Sequence, residues 1–269
     1  MRRKTATFVR VLSATALLLL GFASAQTGQA QQPSTQAAPR ERISITMVSV
    51  KPEMIAEFEN LIKNETNPAL AKGGAKWRDV WQTATFGNFF EYAIVAPVDN
   101  FAEYDSPGAL EKGLGKEGFA AWRAKAGRLV NSVRAFVMEV RPDLSHFTKM
   151  TGPPKMAVVS YIHVAPGRNA EYESYIKNEM LPVVKQSQVA GYWFHQTILG
   201  GDPNEYVVVV LHDNYAELEK GPVARRVLGQ EGAMKLAQKL APGVVTSVER
   251  TVIRYVPGLS YRPAQTANK

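Results

Sequence analysis

The chain contains an internal repeat, and this repeat constrains its fold more than any other feature. When the sequence is displaced by 114 residues, Val50–Gly118 aligns with 164–232 without a gap, and 24 of the 69 positions are identical. The tetrapeptide IKNE occurs at Ile62–Glu65 and again at Ile176–Glu179. A period this long excludes a solenoid, so a whole domain of about 105 residues has been duplicated.

Each repeat is predicted to have the element order βαββαβ. A β-rich run comes first (ISITMVSV or MAVVSYIHV) and is followed by a helix with an apolar stripe, then by two strands joined through a glycine-containing turn. We expect Asp99 and Asp213 to N-cap a short helical stretch. The LGxEG motif predicts a turn and the start of the second helix, and a last strand closes each unit. This pattern predicts an α+β fold of two tandem ferredoxin-like units.

The segments after each first strand resemble a known superfamily. VKPEMIAEFE and VAPGRNAEYE, within two ferredoxin-like units of one chain, resemble the dimeric α/β-barrel superfamily, and in particular its NIPSNAP-type and antibiotic-biosynthesis-monooxygenase-type domains. The resemblance implies that the two units pair their sheets into one intramolecular barrel. Members include cofactor-free oxygenases, haem-degrading and haem-dependent enzymes, isomerases and proteins with no known activity. The fold alone therefore does not determine function.

The amino-terminal residues are typical of a secretory signal peptide. Residues 1–25 combine a basic start, the apolar run ATALLLLGFA and the small residues ASA. They predict cleavage after Ala25 and a periplasmic or secreted protein. The apolar run is too short for a stable membrane anchor. The predicted domain boundaries are a flexible leader at 26–41, a first unit at 42–148, a second unit at 155–262 and a flexible tail at 263–269.

Composition argues against several functional classes. The signal segment has four basic and no acidic residues, so its removal lowers the net charge from +8 to +4. This ordinary balance argues against nucleic-acid binding. The absence of cysteine excludes disulfides, thiolate metal sites and a cysteine nucleophile. LGxEG has one glycine fewer than GxGxxG and no Walker lysine, so nucleotide binding is not expected.

Polar residues present in both repeats belong either to a catalytic site or to the framework. Glu65 and Glu179 fall near the apolar helical stripe, where burial would raise the pKa of a carboxyl group and suit it for proton transfer. Alternatively, both carboxylates bond neighbouring elements and recur because the fold needs them, as Gln82 and Gln196 would. A catalytic residue seldom needs to occur in both halves, which favours the framework interpretation.

Three of the four histidines occur only in the second repeat, at His163, His195 and His212. The corresponding residues of the first repeat are Ser49, Trp81 and Val98. We expect the first and third strands of a unit to be parallel neighbours, which would bring His163 and His212 to one edge of the sheet, beside the strand of His195. Converging imidazoles would bind a metal ion, or one would ligate haem. None of the short ligand spacings is present, however, so no metal ligand is predicted and any cofactor stays open.

Aromatic side chains are concentrated on the second strand of each unit. Trp193, His195 and Thr197 alternate along one strand and share a face, and Trp81 lies on the matching strand of the first unit. If this face lines the barrel, it forms an apolar pocket with a few polar groups, the usual form of a small-molecule site. His195, Trp193 and Glu179 are therefore the first catalytic candidates. Packing of the core is the alternative explanation of the aromatic residues.

Three functions remain open at this level. The leading hypothesis is that the protein binds a small apolar or aromatic molecule in a barrel cavity, with oxygenase- or isomerase-type turnover. The second is a non-catalytic structural or assembly protein that uses the barrel as a scaffold. The third is a haem- or metal-binding protein. Assembly into a homo-oligomer is compatible with each of them.

Overall fold

The computed structural model describes residues 41–148, 154–187 and 189–263. The first repeat forms β1 (Arg42–Val50), α1 (Ile55–Leu61), α2 (Asn67–Lys72), β2 (Asp79–Thr83), β3 (Glu91–Val98), α3 (Ala109–Leu129) and β4 (Val130–Val140). The second repeat forms β6 (Met156–Val164), α4 (Asn169–Tyr175), α5 (Leu181–Gln186), β7 (Gly191–Leu199), β8 (Glu205–His212), α6 (Ala216–Glu219), α7 (Val223–Gln238) and β9 (Val245–Tyr255), after a two-residue strand β5 (His146–Phe147). The predicted α+β class and the ferredoxin-like order of both units are confirmed.

Both copies of the IKNE motif form a π-helical turn. Ile62–Thr66 joins α1 to α2, and Ile176–Met180 joins α4 to α5. The isoleucine that begins each turn is buried, whereas the lysine and asparagine that follow it are exposed. π turns are frequent at functional sites, but here the turn is present in both units with the same burial. The motif therefore recurs because the same helix geometry recurs.

The eight long strands form one closed antiparallel barrel. Their order is β4-β1-β3-β2-β9-β6-β8-β7, and pairing of β7 with β4 closes the barrel, while β5 pairs with β7 outside it. The expectation that the first and third strands of a unit are parallel is wrong, because β1–β3 and β6–β8 are antiparallel pairs. A helical crossover joins the first strand to the second, which makes those two parallel, and the direct turn into the third strand reverses the chain.

Two equivalent seams join the units. At the β2–β9 seam Gln82 lies opposite Arg254, and at the β4–β7 seam Gln196 lies opposite Glu139. The duplicated glutamines thus occupy matching positions of an approximate twofold arrangement. Each strand of the barrel lies opposite its own copy, because three strands lie between them on either side.

The helices cover the outer face of the barrel and form one apolar core with each half. In the second unit Tyr172 and Ile176 pack against Phe194 and Tyr206 of the strands. The hydroxyl of Tyr206 donates to Glu173 at 2.8 Å. The first unit repeats this bond, since Tyr92 donates to Glu59 at 2.8 Å. These tyrosine–glutamate pairs are elements of the common framework.

The LGxEG motif is confirmed as a turn that precedes a helical segment. Gly115 interrupts α3 with a φ of 72°, and Gly229 interrupts α7 with a φ of 70°. This left-handed conformation favours glycine because it has no Cβ. The motif therefore serves the backbone and not a phosphate group.

The expected N-cap role of Asp99 and Asp213 is wrong. In the second unit the backbone N–H of Glu217 donates at 3.2 Å to the side chain of Asn214. In the first unit the helical turn Phe101–Asp105 has no side-chain hydrogen bond at its N-cap. The side chain of Asn214, one residue after Asp213, places its oxygen at the first turn of the helix. The cap of the second unit is therefore one residue later than predicted.

The predicted signal peptide at 1–25 lies outside the described residues, as do most of the predicted leader and tail. Cleavage after Ala25 and export therefore stay predictions. Within residues 41–148, 154–187 and 189–263, no helix is long and apolar enough to cross a membrane.

Candidate functional site in the barrel interior

The side chains of β7 alternate between the two faces of the barrel wall. Tyr192 and Phe194 pack outwards against the helices. Trp193 packs inwards with Trp81 of the opposite strand β2, and His195 lies on the same inward face by alternation. The alternation of β7 therefore puts Trp193 and His195 on the face that lines the barrel interior.

The middle of the barrel is apolar and only partly buried. Its wall includes Met138, which is fully buried, together with Ile45, Val95 and Val209, which are partly buried. The last three point inwards by alternation, and each keeps part of its surface accessible, whereas a fully packed core would bury them.

His195 is the titratable group on this apolar wall. Its side chain is 6% exposed, and burial lowers the pKa of its imidazole to about 4, with a smaller opposing effect of its hydrogen bond to the backbone of Val207. Nδ1 lies 3.2 Å from the carbonyl oxygen of Val207. Because a carbonyl only accepts, Nδ1 carries the proton and Nε2 keeps its lone pair. Among the described residues Nε2 has no hydrogen-bond partner, so His195 offers a neutral acceptor within the barrel.

Trp81 and Trp193 give the barrel interior two flat apolar surfaces. Trp81 is buried and meets the ring of Tyr255 edge-on, with 5.3 Å between the ring centroids. Trp193, two residues before His195 on the same face of β7, is only partly buried. Aromatic walls with one polar group between them suit a planar apolar molecule that carries a hydroxyl or carbonyl group.

One mouth of the barrel is polar, in contrast to its middle. Burial raises the pKa of Tyr161 to about 12, an effect to which Glu91, Glu205 and Glu249 add and which Arg134 partly offsets. Burial also raises the pKa of Glu91. Tyr161 therefore stays protonated at neutral pH and remains a hydrogen-bond donor at the entrance of the apolar interior.

A short chain of polar contacts connects β7 to this mouth. The hydroxyl of Thr197, which is 1% exposed, donates to Glu205 at 3.2 Å. The other oxygen of Glu205 lies 3.3 Å from Nε2 of His163. Both ring nitrogens of His163 face carboxylates, since Nδ1 lies 3.6 Å from Asp202. The imidazole of His163 thus belongs to a network of polar side chains at the mouth.

The structure does not bring the three histidines together. Because β6 and β8 are antiparallel, His163 lies opposite Glu205 and His212 lies opposite Met156, seven residues along β6. Seven residues of strand span about 23 Å. His212 also points outwards, where its Nδ1 lies 3.2 Å from Glu217. The prediction that His163 and His212 share one edge of the sheet is wrong because it assumed parallel strands. In the described part of the chain, no group of three metal-ligating side chains is present.

Glu179 lies apart from His195 and Trp193. It belongs to the π turn of the outer helical layer, and its carboxylate accepts from Lys239 at 2.5 Å. Glu65 accepts from Lys125 at 2.9 Å in the same way. The two lysines correspond across the repeat as the two glutamates do. This duplicated ion pair is the arrangement that the framework interpretation describes.

Sequence reasoning missed Tyr161 and the aromatic loop after β2. Tyr161 replaces Met47 of the first repeat, which is a signal of the same kind as the histidine substitutions. In the loop, Phe86, Phe89 and Phe90 stand where the second repeat has Gly200, Pro203 and Asn204. The signal for this loop is the presence of three aromatic residues in an exposed turn of one repeat, where the other repeat has none.

The barrel has known structural counterparts. A candidate monooxygenase from Fusobacterium nucleatum aligns with a TM-score of 0.55 and 11% identity over 84% of this chain and 99% of its own. An anthrone oxidase-like protein aligns with a TM-score of 0.54 and 10% identity over 81% and 92%. A chlorite dismutase from Candidatus Nitrospira defluvii gives 0.52 and 6% over the same shares. No family model and no curated protein matches the sequence. These likenesses show a dimeric α/β-barrel fold.

Proposed function

From this dimeric α/β-barrel fold we propose that the protein binds a small, largely apolar or aromatic molecule in the barrel interior and turns it over in an oxygenase-type reaction. The observation that carries the proposal is the position of His195: a neutral imidazole with an unpaired Nε2, on an inward face beside a partly exposed tryptophan. Structural counterparts described as monooxygenase or anthrone oxidase-like support the reaction class.

The residues of the barrel interior have separate roles in binding and in proton transfer. Trp193 and Trp81 contact the flat faces of the bound molecule, and Nε2 of His195 accepts a hydrogen bond from its hydroxyl group. Proton transfer to Nε2 would leave an imidazolium beside a substrate anion, and in an apolar interior each charge stabilises the other. The resulting carbanion forms a C–O bond with dioxygen, the co-reactant, and the peroxide takes the proton back from the imidazolium. Loss of water from the hydroperoxide leaves a carbonyl group, so the substrate supplies all the electrons and the second oxygen atom leaves as water.

Binding is tested with phenols and anthrones in a thermal-shift and calorimetric series. We expect a planar phenol to raise the melting temperature of the wild type. Trp193→Ala should weaken binding of the phenols, the anthrones and their methyl ethers alike, whereas His195→Gln should weaken hydroxyl-bearing ligands more than their methyl ethers. Glu179→Gln is the matched control, because its carboxylate bonds Lys239 in the outer layer. If no ligand stabilises the wild type, or if Glu179→Gln weakens binding as strongly as the barrel variants, the barrel site is refuted.

Turnover is tested separately by oxygen uptake. A ligand that binds in the barrel should consume dioxygen in the presence of wild-type protein, and His195→Gln should reduce kcat more than it changes KM. Binding without oxygen uptake for the whole series would support the second function instead, a non-catalytic barrel. That alternative is favoured by the duplicated Glu65–Lys125 and Glu179–Lys239 pairs, which need only a structural role.

We also propose export, with removal of residues 1–25. The basic start, the apolar run and the ASA sequence support this proposal. Amino-terminal sequencing of the protein from a periplasmic extract should begin at Gln26. Recovery of the intact amino terminus from the cytoplasm would contradict it.

A further inference from the structure

A separate pocket of about 650 Å³ lies on the outer face of the β2–β9 seam. Gln82 and Arg254 point into it, because they alternate with the inward-facing Trp81 and Ile253 along their strands. The volume is in the range of small-molecule sites, which often form where two structural units meet.

The upper wall of the pocket is aromatic. Phe89 and Phe90 of the loop after β2 and Tyr215 of the loop after β8 line it, and all three are exposed. The hydroxyls of Tyr215 and Thr85 lie 2.7 Å apart, which bonds the loops of the two units across the seam. Three accessible rings around one opening offer a stacking surface for a planar molecule.

Two cationic side chains, Arg254 and Lys155, line the base of the pocket and can still donate hydrogen bonds to a ligand. Nε and Nη2 of Arg254 donate to the same oxygen of Gln82, at 3.1 and 2.6 Å. Among the described residues Nη1 of Arg254 has no partner. Lys155 lies 3.7 Å from Asp213, an exposed and long ion pair. Two cations therefore face one carboxylate, and an arginine fork held by glutamine is well placed to receive an anionic group.

The β4–β7 seam serves as an internal reference, because it has the same framework with opposite charges. Arg254 corresponds to Glu139 and Lys155 corresponds to Glu41. The backbone is the same at both places: the N–H of Tyr255 donates to Lys155 at 2.9 Å, and the N–H of Val140 donates to Glu41 at 2.8 Å. Barrel closure therefore does not require cations at this position.

The backbone of Phe90 provides a further indication. Phe90 has a φ of 67° and is the non-glycine residue with positive φ in the described part of the chain. The carbonyl oxygen of Phe90 accepts a hydrogen bond from the N–H of Val50 at 2.9 Å. Asn204, the equivalent residue of the second repeat, accepts the same bond from Val164 at 3.0 Å, but its φ is not positive. Asparagine tolerates this region better than phenylalanine. The phenylalanine is thus retained at a conformational cost that the framework does not impose, as at many ligand-binding positions.

We propose that this pocket is a second site, which binds a small aromatic molecule bearing a carboxylate. The ring lies against Phe89, Phe90 and Tyr215, and the carboxylate meets Arg254 and Lys155. The site is separate from the barrel interior, where the polar group proposed to meet the ligand is the neutral imidazole of His195.

The test compares 1-naphthoate with its uncharged isostere 1-naphthamide by isothermal titration calorimetry. We expect the wild type to bind the acid at least tenfold more tightly than the amide, since a charge-assisted hydrogen bond is lost with the charge. Arg254→Glu and Lys155→Glu place in this seam the residues that the other seam already accommodates, and each should weaken 1-naphthoate at least tenfold. Glu41→Lys is the matched control at the other seam and should leave binding unchanged.

Phe90→Asn separates binding from folding. The variant relieves the backbone conformation and removes the ring, so we expect unfolding at an equal or higher denaturant concentration together with weaker 1-naphthoate binding. No saturable binding of 1-naphthoate by the wild type, equal binding of acid and amide, or unchanged binding by Arg254→Glu would overturn the proposal. So would loss of binding in Trp193→Ala, which would assign the ligand to the barrel. Conversion of an oligomer to a monomer by Phe89→Ala in sedimentation velocity would show instead that the aromatic loop contacts a second copy of the chain.

Discussion

The buried imidazole of His195 predicts a specific acid sensitivity of folding. The pKa of this side chain is lowered to about 4 in the folded protein, whereas a histidine of the unfolded chain has a pKa of about 6.5. The folded state therefore binds fewer protons than the unfolded state between these values. The stabilisation that neutral His195 permits is fully present above pH 6.5 and is lost as the pH falls towards 4.

The magnitude follows from the difference between the two values. The difference between a pKa of about 4 in the folded state and about 6.5 in the unfolded state corresponds to about 3 kcal/mol over the whole range. Between pH 7.5 and pH 4.5 the same linkage predicts a loss of about 2–3 kcal/mol, because titration is not complete at the lower value. This loss is a substantial part of the stability of a typical domain.

Urea unfolding at both pH values, on wild type and on His195→Gln, isolates this contribution. Every other titrating group, including His212, whose pKa burial also lowers, is common to both proteins and cancels in the difference. We expect the wild type to lose about 2–3 kcal/mol more than the variant on acidification. Equal losses in the two proteins would show that His195 is hydrated or protonated in the folded state, and would refute both its burial and its role as a neutral acceptor.

Three further predictions concern the framework. Glu65→Gln and Glu179→Gln should each reduce the free energy of unfolding by about 1 kcal/mol or less, because both ion pairs are solvent-exposed. Unequal losses in denaturant unfolding would contradict the equivalence of the two pairs. Gly229→Ala should cost about 1–2 kcal/mol because of its φ of 70°, as measured by thermal unfolding, and a neutral effect would show that the helix runs through this position. Tyr206→Phe should cost about 1–3 kcal/mol by leaving Glu173 one hydrogen bond short, with urea unfolding as the measurement and an unchanged midpoint as the contrary result.

The barrel could be predicted from the sequence because duplication converts a weak pattern into a strong one. Each strand and helix of the framework occurs in two copies, so a pattern that is ambiguous in one copy is defined by the other. The inward face of β7 followed from alternation alone, which is why Trp193 and His195 were placed together. Both predictions depend on local periodicity, which the chain itself displays.

The arrangement of more distant groups could not be predicted in this way. The convergence of His163 and His212 depended on strand direction, and an incorrect direction moved one residue by the length of a strand. Glu179 was assigned to the site because it lies near an apolar stripe, but Lys239 holds its carboxylate in the outer layer. Sixty residues separate this pair along the chain, and no local pattern reports such a partner.

The twofold arrangement explains why candidate functional residues are found where the repeats differ. Strands β2 and β7 lie opposite each other in the barrel, so Trp81 and its counterpart His195 border one shared interior. Two identical residues there would give a symmetric cavity, in which a ligand has two equivalent orientations. One tryptophan and one imidazole instead give the ligand a flat apolar side and a hydrogen-bonding side, which selects a single orientation. The outer layer has no such requirement and keeps its tyrosine–glutamate and glutamate–lysine pairs in both halves. Unlike residues at two equivalent positions of the interior are therefore what asymmetric binding within a twofold framework requires.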